Sequence, residues 1–323
     1  MPKRDVLRAW AALLRGRKPA LSIEITKECP LHCPGCYAFS EDHVGDGVNL
    51  RDLHDLRGDA LVEAVVALVR RYKPLHVSIV GGDPLVRYRE MEVIVPRLLA
   101  MGVFVQVVTS AFRPLPESWQ ALPNFELVVS IDGLQPDHDR RRAPATYDRI
   151  LKNIAGHQIV VHCTITAPMI RQPDYLDRFV AQWSANANVK KIWMSIFTPQ
   201  IGETLAEIPT APERARIIAE LFRLREKYPS LDMPRGLVAA LEHPPSSPRE
   251  CIFARATTVV SADLRSTIAP CQFGGRPDCE RCGCFASMGL AAIGDYRLPG
   301  GLKAGTIFHA SATLGEQIER WVN

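Results

Sequence analysis

The sequence Thr26-Lys-Glu-Cys-Pro-Leu-His-Cys-Pro-Gly-Cys-Tyr37 places three cysteines, Cys29, Cys33 and Cys36, within eight residues. Proline and glycine break any helix here, so we predict a loop that can direct three thiolates to one point. Thiolates are soft ligands that select zinc, copper(I) or iron–sulfur centres. Structural zinc sites and iron–sulfur cubes take four ligands, so three cysteines leave one position open for chemistry. A zinc site with His32 as the fourth ligand is the alternative.

The spacing Cys29-x-x-x-Cys33-x-x-Cys36 resembles the signature of the radical SAM superfamily. The resemblance implies a four-iron four-sulfur (4Fe–4S) cluster on these three thiolates, with S-adenosylmethionine (SAM) bound at the open iron. It further implies that one electron, supplied by a donor such as flavodoxin or ferredoxin, cleaves SAM and releases a 5′-deoxyadenosyl radical. Tyr37, directly after the third cysteine, is expected beside the cofactor.

Length and composition limit the class of protein. The chain has 323 residues, 47% of them hydrophobic, which suits one large α/β domain with an appendage. A net charge of +4 permits an anionic substrate but does not indicate nucleic-acid binding. The sequence has no apolar run of about 18 residues and no signal-peptide core, so we expect a cytoplasmic protein. Clustered cysteines in that compartment indicate metal binding.

Strand and helix patterns alternate after the cysteine loop. Short runs rich in valine and isoleucine predict six strands, at residues 21–26, 75–80, 103–109, 125–131, 159–166 and 190–197. Right-handed crossovers between such strands give an open sheet or a barrel, and no strand leads into a Gly-x-Gly-x-x-Gly turn. We therefore expect an α/β fold, a partial (β/α)6 TIM-like barrel, which the superfamily resemblance also implies. The expected domains are an amphipathic helix in 1–19, the barrel in 20–229 and a cysteine-rich extension in 230–323.

The second predicted strand ends in Gly81-Gly82-Asp83. Two glycines allow the backbone to approach a ligand closely, although an ordinary turn between strand and helix would use the same residues. The motif resembles the Gly-Gly-Glu sequence that holds the SAM amino group in the superfamily. The carboxylate of Asp83 is one methylene shorter than that of glutamate, so the resemblance assigns the SAM contact to the backbone more firmly than to the side chain.

Further polar residues lie at later strand ends, where such barrels place their chemistry. Ser130 and Asp132 close the fourth strand, and the resemblance places both near SAM; the alternative for Asp132 is the N-cap of a turn. Ser195 on the sixth strand is expected to border the adenine, unless this strand is plain core. Residues 137–142 are predicted to be a charged loop, one arginine of which can meet a carboxylate. Cys163, in mid-strand, is predicted to be a buried core residue.

A second cysteine group lies near the C-terminus, around a predicted hairpin over residues 257–268. It resembles the SPASM and twitch extensions of radical SAM enzymes, which implies one auxiliary iron–sulfur cluster. The expected ligands are Cys251, Cys271, Cys279 and Cys282, with Cys284 as the rival of Cys251 or Cys282. Four thiolates also suit zinc, which remains the alternative.

Three functions from different classes fit these motifs: a radical SAM enzyme with an auxiliary cluster, an iron–sulfur electron carrier, and a zinc-stapled binding protein. The SAM-type motifs count against a carrier. Within the enzyme class, Val77–Leu85, Val129–Asp139 and Gly35 resemble the hopanoid enzymes that add the adenosyl radical to a lipid alkene. With the basic N-terminal helix, this favours a lipid-like or small-metabolite substrate and a peripheral membrane contact; a peptide-modifying maturase is the alternative.

Overall fold

The computed structural model describes the backbone of residues 3–322 and the side chains of residues 7–318. Its centre is a seven-stranded sheet in the order β6-β5-β4-β3-β2-β1-β7, and every neighbouring pair is parallel. The strands are β1 (Ala20–Glu24), β2 (His76–Val80), β3 (Phe104–Thr109), β4 (Phe125–Ser130), β5 (Ile159–Ile165), β6 (Val189–Ile196) and β7 (Thr257–Val260). Within the described residues β6 and β7 remain the two edges, so the barrel is partial, as expected.

Helices join successive strands and cover the outside of the sheet. They are α1 (Lys3–Leu13), α2 (Gly58–Tyr72), α3 (Tyr88–Ala100), α4 (Gln135–Arg142), α5 (Tyr147–Asn153), α6 (Ala167–Ile170), α7 (Tyr175–Ser184), α8 (Ala211–Lys227), α9 (Arg235–Ala240), α10 (Ile252–Ala256), α11 (Phe285–Asp295) and α12 (Ala304–Val322). Alternate strand residues such as Val107 and Val129 are fully buried against these helices in one continuous core. Cys163 belongs to this core, which confirms its assignment as a buried residue.

The residues between these core positions face the inside of the barrel, because successive side chains of a strand point to opposite faces. Gln106 and Glu126 are register partners on β3 and β4, and their side chains are hydrogen-bonded at 3.2 Å. Ser130 and His162 are partners on β4 and β5 in the same way. Polar groups thus accumulate inside the barrel while the apolar alternates form the core.

The structure corrects two sequence predictions. Residues 137–142 lie in the helix α4 rather than in a loop, because Pro136 opens the first turn and His138 is completely buried beneath it. The sheet has seven strands rather than six, because Thr257–Val260 pairs in parallel with β1 before the chain turns back at Thr267. The predicted hairpin strand is therefore also an edge strand of the barrel.

The C-terminal extension contacts both edges of the barrel. β7 extends the sheet beside β1, and at the other edge Ile196 of β6 donates its N–H to the Gly283 carbonyl oxygen (3.0 Å). A Cβ atom on Gly283 would lie 2.1 Å from the Ile196 oxygen, so only glycine permits this approach. The extension therefore spans the gap that six barrel strands leave open.

The N-terminal helix α1 packs against α12, where a Cβ atom on Gly315 would lie 2.0 Å from the Leu13 oxygen. Leu13 is buried, whereas Leu7 and Leu14 are exposed. The predicted segment 1–19 begins with Met1 and Pro2, which lie outside the described residues. None of the helices described is long and apolar enough to cross a membrane.

Candidate active site and cysteine groups

The Cys29–Cys36 loop follows β1 directly and contains no regular structure before the short turn that begins at Tyr37, as predicted. Burial, together with the nearby Asp83, Cys33 and Cys36, raises the pKa of Cys29 to about 12. Burial and Cys33 likewise raise the pKa of Cys36. The three thiols thus lie within electrostatic reach of one another, and a cationic metal centre would stabilise their ionised form.

A buried ionic network fixes the start of this loop. The Thr26 hydroxyl donates to Asp55 (2.6 Å), and Arg87 donates to the same Asp55 carboxylate (2.7 Å) and to Glu28 (3.2 Å). Because Thr26 and Glu28 lie immediately before Cys29, the network holds the first thiol relative to β1. Sequence reasoning did not find Asp55 or Arg87, since neither lies near the motif in the chain.

The Gly81-Gly82 turn at the end of β2 lies against both β1 and the cysteine loop. Gly81 and Gly82 have φ angles of +75° and +53°, in the left-handed region that favours glycine. A Cβ atom on Gly81 would lie 2.3 Å from the Glu24 Cβ, and one on Gly82 would lie 2.3 Å from the Glu28 oxygen. The Asp83 N–H then donates to the Glu28 oxygen (3.0 Å), which brings the turn and the loop together.

The Asp83 carboxylate has four hydrogen-bond donors within the chain. Its Oδ1 accepts from the Leu85 N–H (2.9 Å) and the Thr109 hydroxyl (2.8 Å), and its Oδ2 accepts from the N–H (2.8 Å) and hydroxyl (2.6 Å) of Ser110. Four donors occupy the lone pairs of an ionised carboxylate. Asp83 therefore ties the end of β2 to the end of β3, and a direct contact between its side chain and SAM stays a prediction.

At the end of β4, Asp132 is buried and accepts from Arg142 Nε (2.7 Å), Arg141 Nε (3.1 Å) and the Thr164 N–H (2.9 Å). Burial alone would raise its pKa, but the two arginines hold the pKa of Asp132 well below its usual range. Arg142 also lies within electrostatic reach of Cys33, which helps to raise the pKa of this arginine. Asp132 is not the N-cap of α4, which is Leu134.

Ser195 on β6 accepts from the Phe285 N–H (3.1 Å) at the start of α11, and its hydroxyl is 2.8 Å from His162 Nε2. Burial lowers the pKa of His162 to about 4. The nearby Asp132 and Arg142 also influence this imidazole, so it faces the same space as the strand-end residues. Sequence reasoning missed His162; the available signal was a polar side chain at an inward position of an otherwise apolar strand.

The structure brings the second cysteine group together around one small cavity, lined by Cys251, Cys271, Cys279, Cys282 and Cys284. Burial, together with the neighbouring thiols, raises the pKa of Cys271 to about 12 and that of Cys279 to about 11. No three metal-binding side chains among the described residues lie close enough together to hold a single ion. A pocket lined by several thiols can hold an iron–sulfur cluster or a zinc ion, because both metals bind thiolates.

Gly35 lies against Phe197. The resemblance to the superfamily implies an aromatic residue at position 35. The φ angle of Gly35 is +65°, and a Cβ atom here would lie 2.6 Å from the Phe197 ring. Phe197, at the end of β6, is buried and occupies the volume that a side chain at position 35 would need. The aromatic ring of Phe197 therefore fills the space beside Gly35.

Comparison with known proteins agrees with this geometry. Residues 23–174 match the sequence model of the radical SAM superfamily. No curated protein matches the chain. Among solved structures, polyhistidine-tagged anSMEcpe with bound AdoMet is 17% identical, with 79% of this chain and 71% of that chain covered and a TM-score of 0.59. Native anSMEcpe with bound AdoMet and Cp18Cys peptide is 14% identical, with coverages of 92% and 83% and a TM-score of 0.57.

Streptococcus suis SuiB bound to the precursor peptide SuiA is 17% identical, with 70% of this chain and 48% of that chain covered and a TM-score of 0.49. This chain thus spans about half the length of SuiB. At these identities, the likeness to anSMEcpe establishes the partial-barrel fold, and the matched residues 23–174 include the cysteine loop and the ends of β1 to β5.

Proposed function

We propose that this chain, an enzyme of the radical SAM superfamily, uses Cys29, Cys33 and Cys36 to hold a 4Fe–4S cluster and cleaves SAM reductively. The cluster, when bound, supplies the electron that breaks the sulfonium bond and gives the 5′-deoxyadenosyl radical. The observation that carries the proposal is the convergence of three thiols, the Gly81-Gly82 turn and the Asp132–Arg142 pair at one end of the barrel. A flavodoxin or ferredoxin is the proposed electron donor.

The chain's own residues would bind and orient SAM. The backbone of Gly81-Gly82 can approach the amino group closely because neither residue carries a side chain. Arg142 is charged and lies near both Cys33 and Asp132, so it suits the SAM carboxylate. We place Ser130 and Asp132 beside the ribose or the amino acid group, and Tyr37 and Ser195 beside the remainder of the cofactor.

We propose a second iron–sulfur cluster in the distal cavity, bound by Cys251, Cys271, Cys279 and Cys282. The pKa values of Cys271 and Cys279 are both raised by Cys251 and Cys282, so these four thiols lie within reach of one another. Cys284 lies within electrostatic reach of Cys282, Cys271 and Cys251, and it remains the rival ligand. Four thiolates also suit zinc, which is the alternative that metal analysis tests.

The lining of the barrel supports a polar substrate. Ser78, Gln106 and Glu126 form a hydrogen-bonded row inside the barrel, with links of 3.2 Å, and His162 and Ser195 add polar groups nearer the thiols. A hydrocarbon chain would displace water from these groups without replacing its hydrogen bonds, at a cost of about 1–3 kcal/mol per group. We therefore propose a peptide or small polar metabolite, rather than the lipid-like substrate that the sequence favoured. The peptide bound to anSMEcpe makes a peptide the first class to test.

A peripheral membrane contact is a separate proposal that rests on α1. Leu7 and Leu14 are exposed, and the exposed Arg15 and Arg17 follow the helix. Sedimentation with anionic liposomes tests the contact. An intact chain that stays in the supernatant would remove it, without affecting the radical chemistry.

Anaerobic reconstitution tests the main proposal. We expect about eight irons per chain, as two four-iron clusters require, and 5′-deoxyadenosine after addition of SAM and reductant. Zinc in the distal cavity with only one cluster's iron would disprove the auxiliary cluster alone. A chain fully loaded with iron that binds SAM but forms no 5′-deoxyadenosine would disprove the enzymatic proposal.

A further inference from the structure

We propose that Tyr37 and Phe273 form an electron path between the two cysteine groups, so that both groups act as one redox unit. The inference rests on the proposed function, because it requires an iron–sulfur cluster at each group. It goes beyond that function by assigning the contact between the sites to particular side chains. Neither residue supplies a thiolate, and Phe273 was not singled out by the sequence.

Each of the two aromatic residues lies close in sequence to a cysteine of one group. Tyr37 follows Cys36, and Phe273 lies two residues beyond Cys271. The rings meet edge to face, with centroids 5.2 Å apart and an interplanar angle of 81°. This geometry is the favourable arrangement for an aromatic pair. One aromatic contact therefore connects the two ligand-bearing segments.

The cavities of the two cysteine groups adjoin one another. Tyr37 lines the cavity beside Cys33 and Cys36, and Phe273 lines the distal cysteine cavity. Thr198 lines both cavities, so the two spaces share a wall. The Tyr37 side chain also lies within electrostatic reach of thiols from both groups.

A buried hydrogen-bond network fixes the position of Phe273 relative to the first loop. His43 is completely buried; its Nε2 lies 2.6 Å from the Glu24 carboxylate and its Nδ1 lies 3.2 Å from the Phe273 oxygen. The Ser261 hydroxyl donates to the other Glu24 oxygen (2.8 Å). A Cβ atom on Gly274 would lie 1.9 Å from the His43 oxygen, so the two loops are in direct contact. The ring pair is thus held from β1, β7 and both loops.

The proposed step transfers one electron. The electron leaves the distal group, which is oxidised, and enters the Cys29–Cys36 group, which is reduced after it has given its own electron to SAM. No covalent bond forms or breaks in this transfer, and no proton moves. The initial electrons come from the external donor of the proposed function.

The test uses reconstituted full-length protein in which both groups have been reduced with dithionite and the reductant then removed. SAM is added, and samples are frozen at intervals for electron paramagnetic resonance of the distal group. The variants are Tyr37→Leu and Phe273→Leu, which remove one ring each. Tyr37→Phe retains the ring, and Phe39→Leu is the matched control, because Phe39 belongs to the same turn and lines the first cavity without touching Phe273.

In the wild-type protein we expect the reduced signal of the distal group to decay after SAM is added, and 5′-deoxyadenosine to exceed one equivalent per chain. Tyr37→Leu and Phe273→Leu should slow this decay several-fold with unchanged iron content. Tyr37→Phe should restore a decay faster than that of Tyr37→Leu because it retains the ring, and Phe39→Leu should follow the wild type. A distal signal that persists in the wild type, or decays equally fast in both ring-deleted variants, would overturn the electron path. Iron content below two clusters would instead indicate failure of the auxiliary-cluster proposal.

Discussion

The two cysteine groups are built in opposite ways. The first takes three thiols from eight consecutive residues, and the loop that carries them is anchored by Thr26, Asp55 and Arg87. The second collects thiols from Cys251 to Cys284, and its segments are positioned by the edge strands β6 and β7. The positions of the first three thiols thus depend on a single loop. The positions of the second group's thiols depend on how the C-terminal extension packs against the two edges of the barrel.

This difference determines whether a substitution can remove one cysteine group and leave the other intact. The Cys29–Cys36 loop leaves β1, which lies inside the sheet between β2 and β7. The second group lies in an extension that reaches the sheet only at its edges. Loss of the second group should therefore leave the barrel intact, and the following changes are ordered by the size of the effect we expect.

The largest effect should come from Cys33→Ala. Removing one of three thiolates leaves the first cluster with too few ligands, so SAM cleavage should be abolished and about four irons per chain should be lost. Iron analysis and a 5′-deoxyadenosine assay measure both. Cys163→Ala, at a buried thiol outside both groups, is the control and should retain cleavage. Full cleavage in the Cys33→Ala protein would show that the first group is not the reactive one.

The second-largest effect should show which cysteines are ligands of the distal cluster. Cys279→Ala should remove about four irons and retain SAM cleavage, since the three proposed ligands of the first cluster all lie in the Cys29–Cys36 loop. Cys284→Ala should keep the full iron content, because Cys284 is the thiol assigned outside the ligand set. If Cys284→Ala loses the distal iron and Cys279→Ala does not, the ligand assignment must be exchanged.

The sequence predicted the first group more fully than the second for a physical reason. Short spacing fixed the Cys29–Cys36 loop, and the strand periodicity placed Gly81-Gly82 and Asp132 at the same barrel end. Two contacts escaped prediction because they join residues distant in the chain: Asp132 with Arg142 across a helix mistaken for a loop, and Tyr37 with Phe273 between two loops. No periodicity encodes such contacts. The parallel pairing of β7 with β1 was not predicted for the same reason, because the pattern of a strand does not show which other strand it pairs with.

The third-largest effect should come from glycine-to-alanine substitutions, whose cost in stability distinguishes close packing at the first group from backbone strain. Gly82 and Gly47 both have left-handed φ angles, +53° and +76°. A Cβ atom on Gly82 would meet the Glu28 and Thr26 oxygens at 2.3 and 2.6 Å, whereas nothing lies within 4 Å of one on Gly47. Gly47→Ala should cost about 1 kcal/mol from its φ angle alone. Gly82→Ala should cost several times more and should weaken SAM binding.

Chemical denaturation of both glycine variants and equilibrium dialysis with SAM measure these effects. Equal destabilisation by the two substitutions would mean that the cysteine loop yields to the added methyl group. The tight approach of the β2 turn to this loop would then be unimportant for the site.

The smallest effect concerns acid sensitivity of the barrel site. His138 is completely buried; its Nδ1 accepts from the Asp132 N–H (3.0 Å), and its Nε2 lies 2.8 Å from the Ala145 oxygen. Burial, together with the nearby Arg142, lowers the pKa of His138 to about 4. An unfolded histidine has a pKa of about 6.5, so between these values the unfolded chain binds a proton that the folded chain does not. Stability is then fully retained above about pH 6.5 and falls as the pH is lowered toward 4.

From about pH 7.5 to about pH 5, protonation of this one group should reduce the free energy of unfolding by about 2 kcal/mol. Chemical denaturation of the wild type and of His138→Gln at both pH values isolates the contribution, because every other titrating group is common to the two proteins. The variant should be less stable at neutral pH but should lose about 2 kcal/mol less on acidification. An identical pH dependence in both proteins would mean that the folded chain protonates His138 as readily as the unfolded chain and gives up its bond from the Asp132 N–H, so that this strand end is less rigid than its burial indicates.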